Sequence, residues 1–61
     1  MKRRDLTRHL LHHDCVLIRE GSEHSVYANR ATGAMSTVPR HREIKRFTAK
    51  AICEQLGIPT P

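Results

Sequence analysis

Two histidines stand where an imidazole could act on a phosphodiester. His24 lies in Gly21-Ser22-Glu23-His24-Ser25, just past a glycine-containing turn, and His41 lies in Pro39-Arg40-His41-Arg42. Imidazole gives or takes a proton at cellular pH, so either residue can serve as general base or acid. Held beside Arg and Lys that bind a phosphate, such a group can deprotonate a ribose 2′-OH or protonate a leaving 5′-oxygen. That chemistry cleaves RNA without a metal. Ser22 and Ser25 are candidates to hydrogen-bond a phosphate oxygen or to orient the ring. A strand histidine is more often a hydrogen-bonded structural residue, and spacing alone leaves both readings open.

The cations for such a site are present. Lys2, Arg3, Arg4 and Arg8 populate the start of the chain, Arg40 and Arg42 flank His41, and Lys45, Arg46 and Lys50 lead into the last apolar segment. A helix starting at Thr48 would expose the amides of Thr48–Ala51 at its positive end, where a phosphate is favoured. The bland reading is a solvated basic surface, but clustering near both helix starts favours nucleic acid, with a strong dependence on salt. His9 and His13 have the i, i+4 spacing that can share a metal, yet the Glu of an H-E-x-x-H site is missing and Arg8 adjoins them. No metal and no cofactor is expected. His12 has no partner that can be read from sequence.

Length and charge bound the reading. The chain has 61 residues, a net charge of +5 and 38% hydrophobic residues. A chain this short buries only roughly 60% of its unfolded surface, which excludes an enclosed cofactor cavity, a Rossmann unit or a barrel. One domain over residues 1–61 is expected. The longest apolar run, Cys15-Val16-Leu17-Ile18, is too short to span a bilayer. Asp5, Thr7, Arg8 and His9 interrupt any apolar segment behind the basic start, so the reading is a cytoplasmic protein without a membrane partner. Cys15 and Cys53 both sit in apolar segments and read as small buried hydrophobes rather than a disulfide. The pI near 10.0 points to an anionic partner, either nucleic acid or an acidic protein.

The elements that must position these residues follow from periodicity. Residues 3–13 read as a helix, with Leu6 and Leu10 at i, i+4, Leu11 widening the stripe, and Arg4, Arg8 and His12 facing water. Asp14 is the stop, because Asp tolerates a left-handed backbone. Cys15–Arg19, His24–Ala28 and Ala34–Val38 read as strands, joined by turns at residues 20–23 and 29–33, with Gly21 free to take a positive φ. Pro39 ends the third strand's ladder. A basic connector, residues 40–47, carries two apolar anchors, Ile44 and Phe47. The last helix has Thr48 as N-cap, the Ile52/Leu56 pair, and Gly57 at its C′ position. Alternation on the second strand puts His24, Val26 and Ala28 on the helix-facing side, half-buried at His24, and leaves Ser25, Tyr27 and Asn29 on the open face. The fold class is α+β: an α-β-β-β-α chain with a three-stranded antiparallel sheet and both helices on one face.

Taken in order, these motifs resemble the HicA (YcfA-like) toxin family. The resemblance runs through Lys2-Arg3-Arg4-Asp5-Leu6, Asp14-Cys15-Val16-Leu17-Ile18-Arg19-Glu20-Gly21 and Gly21-Ser22-Glu23-His24-Ser25-Val26-Tyr27. It continues through Asn29-Arg30-Ala31-Thr32-Gly33, Val38-Pro39-Arg40-His41-Arg42-Glu43-Ile44 and Ala51-Ile52-Cys53-Glu54-Gln55-Leu56-Gly57-Ile58. It implies a double-stranded-RNA-binding-domain-like fold. It also implies an mRNA interferase, the toxin half of a type II toxin–antitoxin pair, with His24 as the catalytic histidine. The implied partner is a HicB-type antitoxin that covers the active surface, with free toxin monomeric and toxin plus antitoxin a hetero-oligomer. Two positions depart from the family: Asp14 stands where Gly commonly ends the first helix, and Phe47 where Gly often precedes Thr48.

The expected mechanism is metal-independent cleavage of mRNA by His24. The basic residues position the backbone, Ser22 and Ser25 assist, and His41 is the one other candidate for a second proton transfer. General acid–base catalysis contributes typically ~10²–10⁴-fold, which suits a slow nuclease. Two rivals come from other classes. A non-catalytic RNA-binding module of the same fold would read duplex RNA through phosphates and 2′-OH groups, although such domains span ~16 bp. A purely protein-binding subunit would have no affinity for RNA.

Overall fold

The computed structural model describes all of residues 1–61. Helix α1 spans Arg3–His12, strands β1, β2 and β3 span Cys15–Glu20, His24–Asn29 and Met35–Pro39, and helix α2 spans Arg46–Leu56. The sheet is antiparallel in the order β1-β2-β3. The chain is therefore α+β in the expected order.

Punctuation by special backbone conformations works largely as read. Asp14 ends α1 with φ 63°, and its carbonyl accepts from the Arg30 amide at 2.9 Å, tying the helix end to the second hairpin. Gly57 closes α2 in the left-handed region, with Ile58 N donating to Cys53 O at 3.0 Å. The start of α2 differs from expectation: Lys45 is the N-cap and Arg46 the first helical residue, so Thr48 lies inside the helix. The reason is a short β-bridge. Lys2 pairs with Glu43, Arg3 N donates to Arg42 O at 2.8 Å, and Ile44 N donates to Met1 O at 2.7 Å. This bridge ties residues 42–44 to the start of α1, and Lys45, still extended at φ −65° and ψ 147°, is the last residue before the helix. The chain then turns into α2 without a side-chain cap.

The core lies between the helices and one face of the sheet. Leu6 and Leu10 from α1 and Ala49, Ile52, Cys53 and Leu56 from α2 pack with Cys15, Tyr27, Val38 and Ile44. Leu11 does not join the stripe; it is exposed. The two cysteines are buried and free, as small hydrophobes in this core.

The faces of β2 are the reverse of those expected. Ser25, Tyr27 and Asn29 point into the core, with Tyr27 only 7% exposed, while His24, Val26 and Ala28 face outward. The physical reason is that the polar inward residues have partners. Asn29 Nδ2 donates to Leu56 O at 2.8 Å, and its Oδ1 accepts from Ala31 N at 2.9 Å. Ser25 Oγ accepts from Arg3 Nη2 at 2.9 Å and donates to Glu20 Oε1. Ser36 of β3 likewise donates to Gln55 Oε1 at 2.9 Å. Since Ser25 meets α1, while Asn29 and Ser36 meet α2, both helices cover the same face. A buried hydroxyl or amide costs little once bonded, and the large Tyr27 ring gains more from burial than Val26 would.

Candidate functional site

His24 is the first residue of β2, directly opposite Pro39 of β3. The turn before it is tight. Gly21 N donates to His24 O at 2.8 Å, and a Cβ on Gly21 would stand 2.7 Å from that same oxygen. Gly21 does not take a positive φ, contrary to expectation; glycine is required there for space. Arg40 fastens the turn from the β3 side, with its amide donating to Glu23 O at 3.1 Å and Nη1 to Gly21 O at 2.9 Å.

These fastenings leave the His24 side chain exposed, not half-buried against the helices. It borders two shallow depressions. One lies on the outer sheet face, lined with Arg19, Gly21, Ser22, Glu23, Val26 and Thr37. The other lies toward the connector and gathers Ser22, Glu23, Arg40 and His41 around His24. The two histidines that spacing singled out therefore share one depression. Arg40 also borders a third, wholly polar cleft formed with Lys2, Arg3, Arg4, Thr7 and Arg42. The result is a continuous surface that runs from the start of α1, past Arg40, to His24.

The other expected site residues divide. Arg3 is not a free cation: its Nε donates to Pro39 O at 2.8 Å while Nη2 holds Ser25. Ser25 is completely buried, so it has no side open to a phosphate. Ser22 stays exposed beside His24. Arg8 lies farther along α1, with Nη1 3.9 Å from Asp5 Oδ1. Arg46 and Lys50 line a separate cleft with Met1, Ala49 and the C-terminal Thr60 and Pro61, and Lys45 sits against Phe47.

Some participants escaped the sequence reading. Glu20 accepts from Ser25 and lies 3.6 Å from Arg40 Nη1, joining the buried clamp to the turn. Arg19 and Thr37 reach the outer depression because a register shift between Leu17 and Arg19 sets Arg19 opposite Val26, which itself pairs with Thr37. No sequence signal marks that bulge. His9 is used otherwise: its Nε2 donates to Pro59 O at 2.7 Å, with its ring 4.7 Å from that of His13. No group of three or more His, Cys, Asp or Glu side chains is placed to hold a metal ion. No helix is long and apolar enough to cross a membrane.

The class these features define is a small α+β protein with an exposed histidine at the end of a basic surface. The sequence matches the family described as HicA toxin of bacterial toxin-antitoxin over residues 3–58. The chain belongs to that family, and is a toxin of a toxin–antitoxin system. A search of curated proteins and of solved structures gave no match.

Proposed function

We propose that this toxin is a metal-independent endoribonuclease that cleaves mRNA with His24 as its proton-transfer group. The observation that carries the reading is the exposed His24 in a depression shared with His41 and Arg40, where Arg40 also borders the polar cleft of Lys2, Arg4 and Arg42. The backbone phosphates follow the cleft, with Lys2, Arg4 and Arg42 as exposed cations. As base, His24 takes the 2′-OH proton, O2′ attacks phosphorus, and the P–O5′ bond breaks. As acid, an imidazolium returns a proton to O5′. His41, which borders the same depression, is the candidate for whichever transfer His24 does not perform. The products are a 2′,3′-cyclic phosphate and a 5′-hydroxyl.

The turn geometry supports this role. Gly21 and Arg40 hold the backbone of His24 rigidly while its ring stays free, as a group that must meet a substrate requires. The antitoxin, by this reading of HicB type, covers the same surface in a hetero-oligomer, and the freed toxin is a monomer acting in the cytoplasm.

The test is incubation of antitoxin-free protein with end-labelled mRNA in EDTA, beside His24→Ala and His41→Ala. Cleavage by the wild type, reduced about 10²–10⁴-fold in His24→Ala, is the expected result. Binding without cleavage by wild type and variant alike would instead identify a non-catalytic RNA-binding module. Absence of any RNA affinity would identify a protein-binding subunit.

A further inference from the structure

The chain has one phenylalanine, and it is outside the core. Phe47, expected to anchor the connector, is 71% exposed in the first turn of α2, whereas Ile44, the other anchor, is buried. Leaving a phenyl ring in water forgoes the gain of burying it, so its position calls for a use. The ring's surroundings specify one. Lys45 Nζ stands 5.9 Å from the ring centroid, Arg46 adjoins in sequence, and Lys50 lies one helical turn on. The first turn of α2 contains no acidic residue. The nearest carboxylate along the chain before it, Glu43, is 3.8 Å from the N-terminal ammonium. The other exposed large apolar side chains, Leu11, Leu17, Ile18 and Met35, are aliphatic and lie on α1, β1 and β3.

We infer that Phe47 is a stacking platform for an unpaired nucleobase of the RNA substrate, with Lys45 and Arg46 holding the phosphates beside that base. An exposed aromatic face with cations beside it is the common device for single-stranded nucleic acid, and in α2 the one carboxylate, Glu54, lies two turns beyond Phe47. Stacking takes any base, and the cations follow the backbone. A protein-docking hot spot would also use an aromatic, but usually one seated in an apolar surround, whereas the exposed neighbours Lys45, Arg46 and Lys50 are charged. The connector of residues 40–45 joins Arg40 and His41 to Phe47 along the chain. This subsite would favour unpaired message over duplex. The inference rests on RNA being the substrate.

The experiment uses the chain in a His24→Ala background, so that RNA stays intact, with single-stranded RNA as probe. Phe47→Ala should weaken binding about 5- to 150-fold, and Phe47→Tyr should restore it. Its melting curve should match that of the parent, because the side chain is exposed. Abasic RNA should bind the parent as weakly as intact RNA binds Phe47→Ala. The chain contains no Trp, so Phe47→Trp introduces a single indole whose fluorescence should be quenched by stacking when RNA is added. Unchanged affinity in Phe47→Ala with no quenching in Phe47→Trp would overturn the platform while leaving the nuclease reading intact. If antitoxin affinity fell in place of RNA affinity, Phe47 would be a protein contact. Failure of the parent itself to bind RNA would overturn both proposals.

Discussion

Arg3 and Ser25, 22 positions apart, are joined by a 2.9 Å hydrogen bond that clamps the first turn of α1 onto the inner face of β2. The same guanidinium donates through Nε to Pro39 O, and Pro39 is the residue directly opposite His24. Ser25 passes the connection to Glu20, which lies beside Arg40, and Arg40 holds the turn. A residue that looks like one more surface cation is thus a brace for the strand that carries the candidate catalytic group.

Arg3 should accordingly behave differently from its neighbours. Arg3→Ala leaves Ser25 Oγ and Pro39 O without their charged donor and should cost about 1.5–3 kcal/mol in urea unfolding. Arg3→Lys should recover little, since an ammonium cannot reproduce the fork that reaches two acceptors. Arg4→Ala or Arg42→Ala should leave stability within about 0.5 kcal/mol and instead lower the salt dependence of RNA binding by roughly one unit each.

Gly21→Ala tests the turn. The new methyl would meet the His24 carbonyl at 2.7 Å, and that oxygen is backbone, unable to swing aside. The turn must open, at a cost of about 1–3 kcal/mol, and the start of β2 moves with it. Thermal melts give the cost. RNA cleavage measured where the variant is still fully folded should fall as well, because His24 is displaced.

Asn29 should be among the least replaceable polar residues. Its amide is buried, with the donor on Leu56 O at 2.8 Å and the acceptor taking Ala31 N at 2.9 Å. Asn29→Ala removes both bonds and strands the end of α2, at about 1–3 kcal/mol by denaturant titration. Asn29→Asp keeps the acceptor but places a carboxylate against a carbonyl oxygen, and should destabilise at least as much above the carboxyl's pKa.

The cysteines predict an alkaline limit. Burial raises the Cys15 thiol above its ordinary pKa, with the Asp14 charge adding to the effect, and burial followed by proximity to Cys15 does the same for Cys53. The folded state therefore favours the protonated thiols. Below the unfolded thiols' pKa both states hold these protons and the benefit is fully present; above it the unfolded chain releases them first, and stability is progressively lost. Urea midpoints should be flat through neutral pH on this account and fall at alkaline pH, and the fall should be smaller in a Cys15→Ala/Cys53→Ala chain compared with its own neutral value. At neutral pH both thiols should resist alkylation until the chain unfolds.

Much of the molecule was legible from short-range chemistry. The i, i+4 pairs Leu6/Leu10 and Ile52/Leu56, the left-handed stops at Asp14 and Gly57, and β-branched runs between turn residues determine five elements in their order. They also put His24 just past a turn and His41 between Arg40 and Arg42, since those relations are set within a few positions. The family was legible for the same reason, being carried by the order of those local motifs.

Which side of β2 faces the helices was not a local property. Val26 and Ala28 on one face and Tyr27 on the other give an alternation that apolar character cannot decide. The choice fell to partners 22 and 27 positions distant, Arg3 for Ser25 and Leu56 O for Asn29, which let polar groups be buried and turned His24 outward. Likewise, the Lys2–Glu43 bridge decided where α2 begins, and so whether Phe47 would be an anchor or an exposed ring. Sequence by itself determined the elements and the chemical groups they carry. Tertiary structure decided which of those groups meet solvent, because burial and hydrogen-bond satisfaction are settled between segments and not within them.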